Sequence, residues 1–378
     1  RNGHGHHGLR AGHTAIDRSH QAVDDALDGQ RNVLLPATSQ PAGGSPVMTQ
    51  PVSAPKHNHA GANTLQWDAD PSRQWLPLNP LPTLGFVGVG NMGMGMLTRW
   101  RSLGGPAVVF DMDSVRMGQA KDLGATTVGD AAAVAAALPL QGLLVICVVN
   151  GDDCRDVLWG PQGAVSAMQA GQTVLLTPTL SPDDVCDFAK QLAVQGIHLI
   201  DSPMSGGPVR AGQGLMSLMV AGPTRADWWA VLQRLADPVF DLGDNVGDGA
   251  KTKLVNNLLA GINLVAAAQV MTMAQKMALD PARTLAVMAR SSAQSWIASD
   301  RIQRVLDGDP VPQAHMGLLA KDTRLAVAAG HAAGVESALG LLAEAAFAEA
   351  MAQGYAQSDD SAMWPFMQTL AGLKGTQS

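Results

Sequence analysis

The chain has 378 residues, enough for two or three domains with a substantial core. Its formal net charge is -7 at pH 7 with no basic block, so nothing in it calls for a nucleic acid or an acidic membrane as partner. Charged residues make up only 15% and apolar ones 46%; polar cover for the surface is thin, and a homodimer or homotetramer is the expected state.

The three cysteines, Cys147, Cys154 and Cys186, lack C-x-x-C spacing. An odd, sparse set points to buried thiols in a reducing cytoplasm, with no disulfide framework and no metal site. Residues 1–81 read as a disordered extension, in which His4, His6, His7, His13, His20, His57 and His59 lie among Gly, Pro, Ser and Gln. A metal-binding histidine tract is the sharper reading, but no strand or helix is there to set ligand geometry. Sequence upstream of a start near Met48 is the other plain reading, and the apolar h-region of a secretory signal is lacking.

From Thr83 strands and helices alternate, the pattern of a mostly parallel sheet covered on both faces. The first strand, Leu84-Gly85-Phe86-Val87, runs into G-x-G-x-x-G at Gly88, Gly90 and Gly93, and a helix-compatible segment continues to about Leu103. This is the opening of a dinucleotide-binding βαβ unit: Gly88 permits the tight turn, Gly90 the approach of amides to a pyrophosphate, and Gly93 close helix-on-strand packing. A second strand, Ala107 to Phe110, ends at Asp111, 21 residues beyond Gly90. A carboxylate there accepts hydrogen bonds from the adenosine ribose hydroxyls and repels a 2′-phosphate. No Arg follows before Arg116, so the expected cofactor is NAD, with NADP second. The plainer reading makes Asp111 or Asp113 the N-cap of a helix over 114–123.

A short segment over 125–128 and an Ala-rich helix over 130–138 precede the third main strand, 143–149, whose unbroken hydrophobicity implies burial on both faces. It ends at Asn150. The fourth, 173–176, leads to Thr179, with Ser181 as N-cap and Pro182 as first helical residue. The fifth, 197–200, ends at Asp201, and later strands fall at 215–220 and 238–240. Ligands of such sheets bind beyond the carboxyl ends of the strands, where Asn150, Thr179 and the run from Asp201 to Gly207 lie; His198, inside a strand, reads as a filler. After Gly249 every element is helical: 251–277, 281–288, 300–306, 316–333 and 336–353. No uninterrupted apolar run approaches the ~20 residues that span a bilayer, and Leu254 to Met277, interrupted by Asn and Gln, reads as a buried helix.

Two stretches carry chemistry. In Asp201-Ser202-Pro203-Met204-Ser205-Gly206-Gly207, the amides of Ser205, Gly206 and Gly207 can form a concave nest for a carboxylate, with the Ser hydroxyl as a further donor. The plain alternative is a flexible turn. Further on, Lys253 and Asn257 stand at i and i+4, on one helix face. Oxidation of an alcohol needs a group that takes the hydroxyl proton, and a buried lysine whose pKa falls from ~10.4 towards neutrality can do so. The plain alternative is an exposed helix start, and Lys251 falls on a different face.

These motifs, in this order, resemble the β-hydroxyacid dehydrogenase family typified by 3-hydroxyisobutyrate dehydrogenase, from about Leu84 to Trp364. G-V-G-N-M-G-M-G-M matches its dinucleotide loop, D-S-P-M-S-G-G its substrate loop, G-x-G-x-x-x-K-L-V-N-N its catalytic helix, and Lys321-Asp322 its C-terminal K-D motif. The resemblance implies an α/β Rossmann-type dinucleotide-binding domain over 82–246 and an all-α substrate and dimerisation domain over 247–375. It makes Lys253 the acid/base and Asn257 a substrate ligand, and gives the substrate carboxylate to Ser205, Gly206 and Gly207. Gly88, Gly90, Asn91, Met92, Gly93 and Asp111, with Val149, Asn150, Thr179 and Lys321, hold the cofactor. V-V-N after the third strand and A-G-I-N-L-V-A-A-A are most similar to the L-threonate and sugar-acid branch. Met204 replaces the usual Val and Thr323 the usual Leu, departures that bear on the substrate and leave the reaction intact.

The expected activity is NAD-dependent oxidation of the hydroxyl of a small β-hydroxy acid, such as 3-hydroxyisobutyrate or L-threonate. The competing readings are an NADPH-dependent semialdehyde or glyoxylate reductase and a non-catalytic dinucleotide sensor.

Overall fold

The structure is a computed structural model that describes residues 78–309 and 312–373. The histidines of the expected N-terminal extension lie outside the described residues. The described residues belong to one compact unit.

Six parallel strands form the first sheet: β1 (Leu84–Val87), β2 (Ala107–Phe110), β3 (Thr126–Thr127), β4 (Leu143–Ile146), β5 (Thr173–Leu176) and β6 (His198–Asp201). Their order, β3-β2-β1-β4-β5-β6, is that of a doubly wound dinucleotide-binding sheet, with the order reversing between β1 and β4. Both faces are covered, so alternate residues enter different cores. Leu84, Phe86 and Val145 pack with Met96, Leu97 and Trp100 of helix α1 (Asn91–Ser102). Val87, Leu144 and Ile146 pack on the other side under α3 (Ala131–Ala136), α4 (Gly151–Trp159) and α5 (Pro182–Ala193). Helix α2 (Ser114–Asp122) follows β2.

Strand β4 is shorter than the hydrophobic run that announces it. The Cys147 amide still bonds the Val87 carbonyl at 2.9 Å, but Val149 is exposed, because the chain must leave the sheet to deliver Asn150 as the N-cap of α4. Ser181 and Pro182 open α5 as their types demand. A second sheet continues from the β6 edge through an Asp201–Ala221 bridge: β7 (Met204–Ser205) runs antiparallel to β8 (Ser217–Val220), and β9 (Val239–Asp241) parallel to it. Between these strands lie α6 (Gly207–Gln213) and α7 (Ala226–Leu235). Helix α6 is not anticipated in sequence, since G-P-V-R-A-G-Q carries two Gly and a Pro; packing against α1 sustains it.

The helical half is built on α8 (Asp248–Lys276), with α9 (Pro281–Met288), α10 (Trp296–Leu306), α11 (Met316–Ala332), α12 (Ala338–Ala352) and α13 (Met363–Leu370) packed on it. Leu264, Ala268, Met271, Ile302, Phe347 and Trp364 form its core. The segment read as a buried helix is buried along one side. Only one face is covered, whereas Val255, Leu259 and Met273 are open to solvent. By length and composition alone α8 is apolar enough to cross a membrane.

Candidate active site

The glycine turn is built for close approach. Gly88 has φ +87°, and a Cβ at Gly93 would collide with the Gly88 carbonyl oxygen, so only glycines let α1 start this near β1. At Gly90 the space is open, with no heavy atom within 4 Å of where a Cβ would stand. That clear ground at a helix N-terminus fits a pyrophosphate. Asp111 completes the turn: its carboxylate accepts from the Val89 amide at 2.6 Å and the Asp113 amide at 2.8 Å. Asp113 is the N-cap of α2, its carboxylate accepting from the Val115 amide, so the capping reading holds in its Asp113 form and Asp111 does not cap. Asn91 accepts from Arg116 at 2.7 Å. Met92 packs on the core beneath the sheet, a floor residue of the loop.

Lys253 and Asn257 are both buried, on the covered face of α8. Lys253 makes no hydrogen bond or ion pair among the described residues. Burial pushes its ammonium down to about 8, against the nearby Asp322 carboxylate, which raises it; Lys321 lowers it further. Asn257 donates to Asp322 Oδ2 at 2.7 Å and accepts from Asn256 at 3.0 Å. The other Asp322 oxygen is 2.8 Å from Lys321 Nζ, which also donates to the Thr179 carbonyl at 2.7 Å. Lys253 thus faces a chain of contacts, Asn257 to Asp322 to Lys321 to Thr179, that ends on the loop after β5. Thr179 enters through its backbone. Asn150, Thr179 and Lys321 line one cavity of about 180 Å³, together with Arg155, Asp184 and Arg324. Val149 lies just outside it, its amide 3.3 Å from the Asp153 carboxylate.

Ser205 pairs with Ser217 across β7 and β8, and among the described residues Ser205, Gly206 and Gly207 make no hydrogen bond to Lys253 or Asn257. Gly206 and Gly207 have φ +125° and +79°, which turns the chain sharply from β7 into α6. Helix α6 then lies across α1, where a Cβ on Gly95 would stand 2.8 Å from both the Ala211 Cβ and the Pro208 carbonyl. Gly95 therefore sets the distance between the dinucleotide turn and the Ser205 turn. Its role is absent from the fingerprint, although the Gly-Met-Gly spacing was a signal for it.

Asp201, grouped with the ligand-facing residues on sequence grounds, does structural work. Its buried carboxylate accepts from the Gly247 and Ala250 amides at 3.0 and 2.9 Å, capping α8 from the end of β6. Burial pushes this carboxyl up to about 6 despite those bonds. Lys251 stands in the open, paired with Asp248 at 2.8 Å. Asp300 pairs with Arg301. Among the described residues no group of three or more His, Cys, Asp or Glu could hold a metal ion.

Residues 83–243 match the family described as the NAD binding domain of 6-phosphogluconate dehydrogenase, and residues 247–367 the family described as NAD-binding of NADP-dependent 3-hydroxyisobutyrate dehydrogenase. An L-threonate dehydrogenase of Escherichia coli O6:H1 is 32% identical over 295 residues, covering 77% of this chain and 97% of the relative. One from Cupriavidus necator is 30% identical over 282 residues, covering 74% and 94%. The crystal structure of a 3-hydroxyisobutyrate dehydrogenase from Salmonella typhimurium superposes with a TM-score of 0.69 at 30% identity, covering 75% of this chain and 99% of that one. With the doubly wound sheet, the glycine turn and the helical half all in place, the chain belongs to the β-hydroxyacid dehydrogenase family of NAD(P)-dependent oxidoreductases.

Proposed function

We propose that this protein oxidises the hydroxyl of a small β-hydroxy acid, a sugar acid such as L-threonate or 3-hydroxyisobutyrate, with NAD and with Lys253 as acid/base. The carrying observation is the buried Lys253 ammonium, unpaired among the described residues, brought down to about 8 and near the Asp322 carboxylate that Asn257 holds. A nitrogen in that state is neutral often enough near physiological pH to take a hydroxyl proton and charged often enough to return it. The bound nicotinamide dinucleotide supplies the acceptor for the hydride. The glycine turn holds the pyrophosphate, and Asp111 holds the ribose hydroxyls. Asn257, fixed by Asp322, keeps the substrate beside Lys253, and the amides of Ser205, Gly206 and Gly207 hold its carboxylate. The preference for NAD rests on Asp111, a fixed carboxylate where a 2′-phosphate would sit, and on Arg116 being engaged by Asn91. The sugar-acid reading rests on the L-threonate dehydrogenases among the relatives.

The test is initial-rate kinetics on a panel of hydroxy acids with NAD and with NADP. Turnover of a β-hydroxy acid with higher kcat/KM for NAD is expected, and Lys253→Ala should lose at least about 10²-fold in kcat, the lower range for a general base, while still binding NAD. Full activity in Lys253→Ala would remove the assigned base.

A further inference from the structure

A second cavity, about 430 Å³ in volume, opens at the end of the sheet opposite the glycine turn. Thr173 and His198, register partners at the first positions of the parallel strands β5 and β6, stand on its wall, whereas Gly88, Thr179 and Asp201 lie at or past the carboxyl ends of their strands. Arg225 and Trp228, from the start of α7, and Asp244, after β9, complete it. The volume falls in the range of small-molecule sites, roughly 300–1,000 Å³. Two wall residues hold a polar group that the fold leaves unsatisfied. Trp228 is 4% and Thr173 2% exposed, and among the described residues neither the indole N–H nor the hydroxyl has a hydrogen-bond partner. Buried polar groups are paired almost everywhere in folded proteins, because one without a partner destabilises the fold. The wall is polarised as well. Helix α7 starts here with no side-chain cap at Arg225, which leaves the positive end of its dipole at the cavity. Asp227 accepts from the Trp228 amide at 3.1 Å and from Arg225 Nε and Nη2 at 3.1 and 2.8 Å, and Gln141 accepts from Nη2 at 2.9 Å, so Arg225 Nη1 is left over among the described residues.

We propose that this cavity binds a small organic oxyanion that carries a hydroxyl, at a site separate from the dinucleotide cleft. Arg225 Nη1, the Trp228 indole N–H and the start of α7 supply donors for the oxyanion. The exposed Asp244 carboxylate accepts from the ligand hydroxyl, and the Thr173 hydroxyl gains the partner it lacks. Asp227 and Asp244 offset the charge of Arg225, so recognition rests on directed hydrogen bonds more than on net charge, which favours a hydroxylated organic anion over a bare inorganic one. His198, a filler by its place in a strand, is exposed on the same wall as a further polar contact. Strands β5 and β6 run from this cavity towards Thr179 and Asp201, so the two sites lie at opposite ends of the same strands and can be filled together. The inference stands whether or not Lys253 is the acid/base.

Fluorine NMR of the full chain labelled with 5-fluorotryptophan tests this without added cofactor, so that nothing turns over. The resonance lost in Trp228→Phe belongs to Trp228. It should move saturably with D-glycerate or with glycerol 3-phosphate, which present a carboxylate and a phosphate beside hydroxyls, and the tighter of the two names the oxyanion. Glycerol, uncharged, should leave it in place. Arg225→Gln should raise the midpoint at least about tenfold, the loss of one charged hydrogen bond, while Asn257→Ala, in the cleft, should not change it. An unmoved Trp228 resonance with both anions overturns the proposal, as does a shift that glycerol reproduces, that survives Arg225→Gln or that Asn257→Ala abolishes. If the labelled chain misfolds, melting curves of unlabelled protein decide. Without ligand, Thr173→Val should melt at or above the wild type, because its hydroxyl has no partner to lose. The rise in melting temperature that glycerol 3-phosphate or D-glycerate gives the wild type should shrink in Arg225→Gln. A lower melting temperature for Thr173→Val, or a rise that is absent from the wild type or kept in full by Arg225→Gln, overturns it.

Discussion

At the scale of single residues, the site depends on how one ammonium is kept poised. Burial alone would drive Lys253 far down; the Asp322 carboxylate holds it near 8, in a range useful for passing a proton in either direction. The sign follows directly. With Lys253 as the acid/base we propose, oxidation needs it neutral, so its rate should rise with pH and level off above about 8, while carbonyl reduction needs the ammonium and should fall over the same range. Asp322→Asn keeps an acceptor for the Asn257 amide but removes the charge that raises Lys253, so the midpoint of both profiles should move to lower pH. A pH–rate series on both proteins checks this, and an unmoved midpoint would mean that another group controls the proton. Lys253 and Asn257 were legible in sequence because i,i+4 spacing is a property of the helix itself. Asp322 was legible as half of a motif, but its contact with Asn257 spans 65 residues and needed the fold.

At the scale of elements, the two halves of the site are spaced by helix α1. Its N-cap glycine and an inner one differ in kind. Gly95 is pressed against α6, whereas Gly90 faces open space with φ −58°, which any residue adopts. Gly95→Ala should push α6 and the Ser205 turn outward, costing about 1–3 kcal/mol for an overpacked contact and raising KM for the hydroxy acid. Gly90→Ala should leave the melting temperature unchanged and weaken NAD binding, since the added methyl occupies the ground cleared for the pyrophosphate. Thermal melts and NAD titrations of the two variants separate these outcomes; equal effects would contradict the division of labour. Helix α6 was unreadable in sequence for the same reason that Gly95 matters: G-P-V-R-A-G-Q has little intrinsic helicity and is stabilised by its neighbour.

At the scale of the whole molecule, buried carboxylates stitch distant segments together. Asp201 ties the end of β6 to the start of α8, and Lys321 ties α11 to the loop after β5, so the sheet and the helical half are clamped at the mouth of the cleft. In the helical half Asp359 accepts from the Gln313 and Ala314 amides and pairs with Arg304 at 2.9 Å, while Asp360 pairs with Arg301. Burial raises Asp359, but hydrogen bonds from Ser361, Gln313 and Ala314 outweigh it and bring the carboxyl down to about 2. Its folded pKa is below the unfolded one, so its contribution is complete above about pH 4 and is lost as pH falls towards 2. The difference in unfolding free energy between wild type and Asp359→Asn should be on the order of 2 kcal/mol at neutral pH, since the carboxyl is held at about 2, well below its ordinary value of about 3.9, and should close in acid. Asp201 and Asp360 act in the opposite sense. Each is raised to about 6, so its contribution is present below about pH 4 and declines as pH rises through 6.

The order of the main strands and of the long helices, the glycine turn, the acidic residue after β2, the N-cap at Ser181 and the shared face of Lys253 and Asn257 were all determined by the sequence itself. Each is a relation over a few residues, or over one βαβ unit, and is written in side-chain size, backbone freedom and period. Only the tertiary structure decided that Asp201 caps a helix instead of meeting a ligand, that Asp322 joins Asn257 to Lys321, that Gly95 spaces two turns, and that α8 has an uncovered face. Those are distances between segments far apart in the chain, and they are fixed by which surfaces pack together, a property no local pattern contains.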